Sequence, residues 1–223
     1  MTTRLAGDKA WLPYVLPFGL YLAFLGLQGR FSPDSLVWLY PLKTLVVAGA
    51  LLAFRKSYVE LRPSFSLLAV AVGALAIGIW IAIDPFYPGL SRLLGSDSPT
   101  PFDPTSIASP GARLTFLVFR VLGAVLVVPL MEELFWRGFL ARWLVKDDFQ
   151  SVPVGTFTPF AFGATVVLFG LEHEQWLAGL ICGALYNGLL YRTKSLTDCV
   201  VAHATSNALL AAWVLTRGDF KFW

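Results

Sequence analysis

The sequence predicts an all-α, polytopic transmembrane bundle of seven or eight spans around a buried polar cavity. Of its 223 residues, 57% are hydrophobic and only 14% are charged, and the mean hydropathy is +0.67. Soluble domains carry roughly 25% charged residues and about 45–50% apolar ones. Long apolar runs recur along the chain, and its only two histidines lie within them. These observations together predict a membrane protein with an internal site.

A spanning helix needs about 20 predominantly apolar residues. The predicted spans are residues 11–29, 36–54, 65–83, 113–145, 157–173, 176–191 and 196–215. Between the third and fourth spans, residues 84–110 are rich in proline and serine, and we expect an interfacial loop or short surface helices there. No long polar insertion divides the chain, so we interpret residues 1–223 as a single membrane domain.

The loops differ in their content of lysine and arginine, which biases the orientation of membrane proteins. Ten such residues fall on the side of the amino terminus and five on the opposite side. This predicts a multi-pass protein of the cytoplasmic (inner) membrane with a cytoplasmic amino terminus. The first run is longer than a signal-peptide core and lacks a small-residue cleavage site, so we expect it to be retained.

Two classes of function are disfavoured by composition. The basic residues are scattered and the net charge is only +3, which gives no support to nucleic-acid binding. Cys182 and Cys199 both lie in apolar stretches, where cysteine is usually a small apolar filler.

Ionisable residues at membrane depth are costly and therefore mark candidate sites. The fourth span contains Glu132, Glu133 and Arg137. Glu133 and Arg137 are four residues apart and are expected to pair on one helix face. Glu132 then points elsewhere and is free to react, while Pro129, one turn earlier, is expected to kink the helix. The alternative is an ordinary polar helix end.

Two further motifs make that alternative less favourable. Phe169 and His173 end the fifth span, and His203 and Asn207 lie four residues apart in the seventh. A carboxylate and a histidine suit activation of water, and an imidazole and an amide suit stabilisation of an oxyanion. For the two histidines to meet, the turn after the fifth span must lie within the membrane beside a water-filled cavity. We expect that cavity to open toward the cytoplasm.

In this order, the three motifs resemble those of the CPBP family, which comprises type II CAAX prenyl endopeptidases, Rce1-like proteases and bacterial relatives including Abi proteins. The resemblance covers a core of roughly residues 113–215. It implies that Glu132 and His173 activate water and that His203 and Asn207 stabilise the oxyanion. Glu133, Arg137 and Phe169 would support the site.

The resemblance implies a hydrophobic or lipid-modified peptide or protein as substrate, delivered from the membrane lipids and cut near its carboxyl terminus. It implies no cofactor. Zinc bound by Glu132, His173 and His203 is the less favoured alternative, because the motif lacks H-E-x-x-H spacing.

Three nearby residues are interpreted as bystanders. Glu172 and Glu174 flank His173 and are assigned to a polar turn, and Arg120 is expected to snorkel or to pair with a carboxylate. Two other functions compete with the protease: a non-catalytic scaffold or bacteriocin-immunity protein of the same fold, and a transporter. The chain lacks the internal repeat typical of transporters.

Overall fold

The computed structural model describes residues 9–28, 35–64 and 66–223. Within these ranges the chain forms eight α-helices and no β-strand, which confirms the predicted all-α class. In chain order, the helices are α1 Leu12–Gln28, α2 Leu36–Ala53, α3 Leu67–Ile83, α4 Leu90–Leu93, α5 Pro110–Trp143, α6 Pro159–Leu171, α7 Trp176–Thr193 and α8 Leu196–Arg217.

Each of the seven predicted spans corresponds to one long helix. Four of the described helices, α2, α3, α5 and α8, are long and apolar enough to cross a membrane by themselves. In the described residues α1 and α6 are apolar but shorter, and α7 is made less apolar by Asn187 and Arg192. The predicted span ends at Gly29 and Phe65 lie outside the described residues, as do the loop residues Arg4 and Arg30.

The outer surface of the bundle is apolar, as lipid requires. Leucines on the long helices remain highly exposed, for example Leu67 at 77%, Leu114 at 64% and Leu45 at 59%. By contrast, Glu133 and Arg137 are 0% exposed. Charge inside and hydrocarbon outside is the arrangement expected of a membrane protein. The chain is therefore an integral membrane protein.

Helix α5 is the central element, 34 residues long. It contacts α1, α2 and α8, while α3 packs against α7 and α8, and α6 packs against α7. Close packing of α6 on α7 depends on glycine. A Cβ atom at Gly179 would lie 3.0 Å from the Cα of Gly170. The two backbones therefore approach closely beside the start of the polar turn that holds His173.

The segments outside the spans form short turns, as predicted for residues 84–110. They contain the 3₁₀ turns Asp84–Phe86 and Pro104–Ser106 in addition to α4. At the other end of the chain, the Lys221 ammonium lies 2.7 Å from the Asp84 carboxylate. This hydrogen bond raises the pKa of Lys221 and holds the 3₁₀ turn Phe220–Phe222 against the loop that follows α3.

Candidate active site

Glu132 and Glu133 lie on a short α-helical stretch of α5 between two π-helical segments, Gly123–Val127 and Leu134–Leu140. Single π turns inside α-helices are frequent at functional sites. The Glu132 carboxylate lines a buried cavity, is 4% exposed, and its Oε2 has no hydrogen-bond partner among the described residues. The side chain of Glu133 points away from this cavity into the protein interior.

The predicted pair of Glu133 and Arg137 is confirmed, with Arg137 Nη1 donating to Glu133 Oε1 at 3.1 Å. The same carboxylate oxygen lies 2.9 Å from His203 Nδ1. Because a carboxylate can only accept, the proton of this bond is on Nδ1. Glu133 therefore fixes the orientation of the His203 ring and turns its Nε2 toward the cavity, which His203 also lines.

Arg137 is held by residues that the sequence analysis did not single out. Its Nε donates to Asn187 Oδ1 at 2.9 Å, and its Nη2 donates to the Gly183 carbonyl at 3.2 Å. The Asn187 amide in turn donates to Thr165 Oγ1 at 2.8 Å. The result is a continuous buried chain of hydrogen bonds from His203 to Thr165, which ties α5, α6, α7 and α8 together.

His173 lies just beyond the end of α6, in the turn before α7, and not within a span as the sequence suggested. Its Nδ1 is 2.8 Å from the Phe169 carbonyl oxygen. A carbonyl also only accepts, so Nδ1 carries the proton and Nε2 keeps its lone pair. The Phe169 ring centroid lies 5.0 Å from that of His173 and 6.1 Å from that of His203. Phe169 thus contacts both histidine rings.

Asn207 also lines the cavity, but one of its amide hydrogens is already used. Its Nδ2 donates to the Ala124 carbonyl at 2.7 Å. That carbonyl lies five residues before Pro129, which has no N–H to offer in a π turn. The Val128 N–H donates to Gly123 instead. Pro129 therefore accounts for the free carbonyl of Ala124, and Asn207 satisfies it from α8.

The predicted polar cavity is present, with a volume of about 190 Å³. All four side chains predicted to act in catalysis line it: Glu132, His173, His203 and Asn207. Trp80, Gln175 and Trp223 border it as well, and these residues lie at the end of the bundle opposite the start of α1. The predicted opening toward the cytoplasm is therefore incompatible with a cytoplasmic amino terminus.

The residues expected to be bystanders differ from one another. Glu174 accepts hydrogen bonds from the backbone N–H and the hydroxyl of Ser91, so it anchors α4. Glu172 Oε2 is buried without a described partner, but Glu172 does not line the cavity. Arg120 does line it and forms no ion pair in the described part of the chain, so of the two expectations for this residue the pairing with a carboxylate is not met.

Zinc bound by Glu132, His173 and His203 is the alternative to a site without metal. Within residues 9–28, 35–64 and 66–223, no group of three or more His, Cys, Asp and Glu side chains is arranged to hold a metal ion. The hydrogen bonds at Nδ1 leave the Nε2 atom of each histidine available to a ligand.

Comparison with known proteins matches part of the chain. Residues 114–209 match the family model described as type II CAAX prenyl endopeptidase Rce1-like. The matched segment runs from the start of α5 into α8 and contains every residue of the three motifs. No curated protein and no solved structure gives a significant match to the chain. Over residues 114–209 the chain is therefore similar to the Rce1-like type II CAAX prenyl endopeptidases.

Proposed function

We propose that the protein is an intramembrane endopeptidase that uses Glu132 and His173 to activate water. One observation carries this proposal: the Glu132 carboxylate has an oxygen with no described hydrogen-bond partner in a buried cavity that also receives two oriented histidine rings. Leaving such an oxygen without a partner is costly. A reacting water molecule between Glu132 and His173 would supply the missing hydrogen bond.

The first chemical step follows from the hydrogen bonds of His173. Since its Nδ1 proton is directed to Phe169, Nε2 accepts one proton of the water in a hydrogen bond and orients it. Glu132 takes the other proton as the water oxygen attacks the carbonyl carbon of the peptide bond. The products are a tetrahedral intermediate with an oxyanion and a neutral Glu132 carboxylic acid. Glu132 then delivers this proton to the leaving nitrogen, and the C–N bond breaks.

His203 and Asn207 are suited to stabilise the oxyanion. The proposed role requires the doubly protonated His203 ring, in which Nδ1–H donates to Glu133 and Nε2–H donates to the oxyanion. Asn207 retains its second amide hydrogen for the same purpose. Glu133, Arg137 and Phe169 act as positioning residues. The proposal needs no cofactor, and the histidine and carboxylate groups described here supply all the proton transfers.

The proposed substrate is a hydrophobic or lipid-modified, CAAX-type peptide cleaved near its carboxyl terminus. An apolar exterior and an internal cavity favour a substrate that arrives from the lipid phase. We place the enzyme in the cytoplasmic (inner) membrane, with the amino terminus on the cytoplasmic side because of the charge difference between the loops.

The test is cleavage of a library of S-farnesylated CAAX-type peptides by the detergent-purified protein, with products identified by mass spectrometry. We expect cleavage by wild type, loss in Glu132→Gln, and no effect of a metal chelator. Asp198→Asn is the matched control, because it removes a buried carboxylate that does not line the cavity. Equal cleavage by Glu132→Gln, or none by a folded wild type, would contradict the proposal; the second result favours the scaffold or immunity alternative.

A further inference from the structure

Arg120 is a cation of the catalytic cavity that the mechanism does not use. Its Nη1 donates to the Tyr40 hydroxyl at 2.7 Å, and its guanidinium carbon lies 4.9 Å from the Tyr40 ring centroid and 5.3 Å from that of Trp223. No carboxylate of the described residues lies within ion-pair distance. A guanidinium has five N–H donors, so most of them remain available to a ligand.

The π turn of α5 brings Arg120 and Glu132 to the same side of the helix. In a regular α-helix, twelve residues correspond to about 3.3 turns, so the two side chains would diverge by about 120°. The π turn at Gly123–Val127 accommodates one extra residue. The twelve residues then correspond to about three whole turns, so the two side chains project from the same side of the helix. Both side chains accordingly line one cavity.

The surroundings of Arg120 favour an anion with an apolar neighbour. Lys43 Nζ lies 4.1 Å from the same Tyr40 ring, so two basic side chains contact Tyr40. Tyr40, Arg120 and Trp223 also border a second cavity of about 330 Å³. That cavity is otherwise lined by apolar side chains, including Phe102 and Phe116. A positive group at the edge of an apolar cavity suits the carboxylate of a terminal hydrophobic residue.

We propose that Arg120 binds the free carboxyl-terminal carboxylate of the peptide substrate. Arginine is well matched to a carboxylate, because its planar fork forms two parallel hydrogen bonds. This inference rests on the proposed function and adds a specificity-determining residue to it. It explains how an endopeptidase would recognise the end of a chain and not an internal segment.

The position of Arg120 also limits the length of the released peptide. Three helical turns span about 16–18 Å along α5. An extended peptide covers about 3.3–3.6 Å per residue, so roughly five residues bridge that distance. We therefore expect products of about five residues.

The test measures binding apart from catalysis. The probe is a fluorescein-labelled peptide ending in S-farnesyl-Cys-Val-Ile-Leu, prepared as the free acid and as the carboxyl-terminal amide. Its affinity for the Glu132→Gln protein is measured by fluorescence anisotropy, so that the peptide stays intact. We expect the acid to bind about ten- to hundredfold more tightly than the amide, as one charge-assisted bidentate contact allows.

Variants of Arg120 are then compared in the same background. Arg120→Gln should bind acid and amide equally, with affinity for the amide unchanged, and Arg120→Lys should restore part of the preference. Arg217→Gln is the matched control, because it removes an exposed guanidinium that does not line the cavity and should keep the full preference.

Three results would overturn the assignment of Arg120: no binding of either peptide, equal binding of acid and amide by the parent protein, or a preference that survives in Arg120→Gln. Failure of the proposed protease is distinguishable from these. In that case the free-acid peptide would still bind more tightly than the amide in an Arg120-dependent way, but protein that retains Glu132 would not cleave it.

Discussion

Glu132 and Glu133 are adjacent in the chain but have opposite surroundings. Glu133 Oε1 accepts from both Arg137 and His203, although Glu133 Oε2 has no described partner. Glu132 has no described hydrogen bond or ion pair on its side chain and borders the cavity. Removal of one member of a buried ion pair leaves the other charge uncompensated. Removal of a carboxylate that lacks a partner carries no such penalty. The two residues should therefore differ in their effect on stability.

We expect Glu133→Gln to lower the free energy of unfolding by about 3–5 kcal/mol, because it leaves Arg137 without its charge partner. The matched Glu132→Gln variant should be as stable as wild type, or more stable. Chemical unfolding in detergent, followed by circular dichroism, gives both values. Equal destabilisation by the two substitutions would show that Glu132 also has a structural partner.

The motif residues could be predicted from sequence because each is an ionisable or amide side chain within an apolar run. Asn187 and Thr165 are also polar residues within apolar runs. Their role depends on contacts between helices, because Asn187 accepts from Arg137 and donates to Thr165. Sequence spacing predicts contacts between side chains on one helix, such as Glu133 and Arg137, but it does not predict contacts between side chains on different helices. For the same reason, the bond between Glu133 and His203 was not predicted.

At the level of secondary structure, the π-helical turns of α5 depend on one proline and one partner helix. The sequence predicts that Pro129 kinks α5, and the structure shows the specific consequence. Pro129 leaves the Ala124 carbonyl for Asn207 and rotates Arg120 into register with Glu132. This outcome could not be predicted from sequence, because it requires α8 to lie beside the unpaired carbonyl.

Replacement of Pro129 by alanine restores a backbone N–H and favours a regular helix. We expect the melting temperature of Pro129→Ala to equal or exceed that of wild type, since proline disfavours a helix interior by about 3 kcal/mol relative to alanine. Peptide cleavage should fall at least about tenfold, because Asn207 loses its anchoring carbonyl and Arg120 turns away from the cavity. Unchanged cleavage would mean that the π turn does not position these side chains.

The contact of α6 with α7 sets the position of His173. In Gly179→Ala, the added Cβ would lie 3.1 Å from the Gly170 oxygen and 3.4 Å from His173 Nδ1, so the helices must separate. We expect a loss of about 1–3 kcal/mol in unfolding free energy and reduced cleavage. Gly188→Ala on the same helix is the control, because nothing lies within 4 Å of its Cβ position. Equal effects of both substitutions would contradict this account.

Over the whole molecule, the number and order of long helices followed from the apolar runs, but the side on which the cavity lies did not. Arg137 and Arg142 are among the ten basic residues assigned to the amino-terminal side, yet both are buried in the bundle. This narrows the charge difference from which the orientation was predicted.

Orientation is measurable by labelling with a membrane-impermeant maleimide, because both native cysteines, Cys182 and Cys199, are buried. With a cytoplasmic amino terminus, Ser98→Cys should label in intact spheroplasts and Lys56→Cys only after permeabilisation. The cavity would then lie toward the outer side. The reverse pattern would place the amino terminus outside and the cavity toward the cytoplasm.

The central claim is that Glu132 activates water in an otherwise intact site. The most direct test compares the rates at which wild type and Glu132→Gln cleave a farnesylated CAAX-type peptide. Melting temperatures are measured first, so that both proteins are known to be folded in the assay. Loss of a general base predicts a fall in kcat of about 10²–10⁴-fold with little change in peptide affinity. A Glu132→Gln protein that cleaves within a few-fold of wild type would contradict the account.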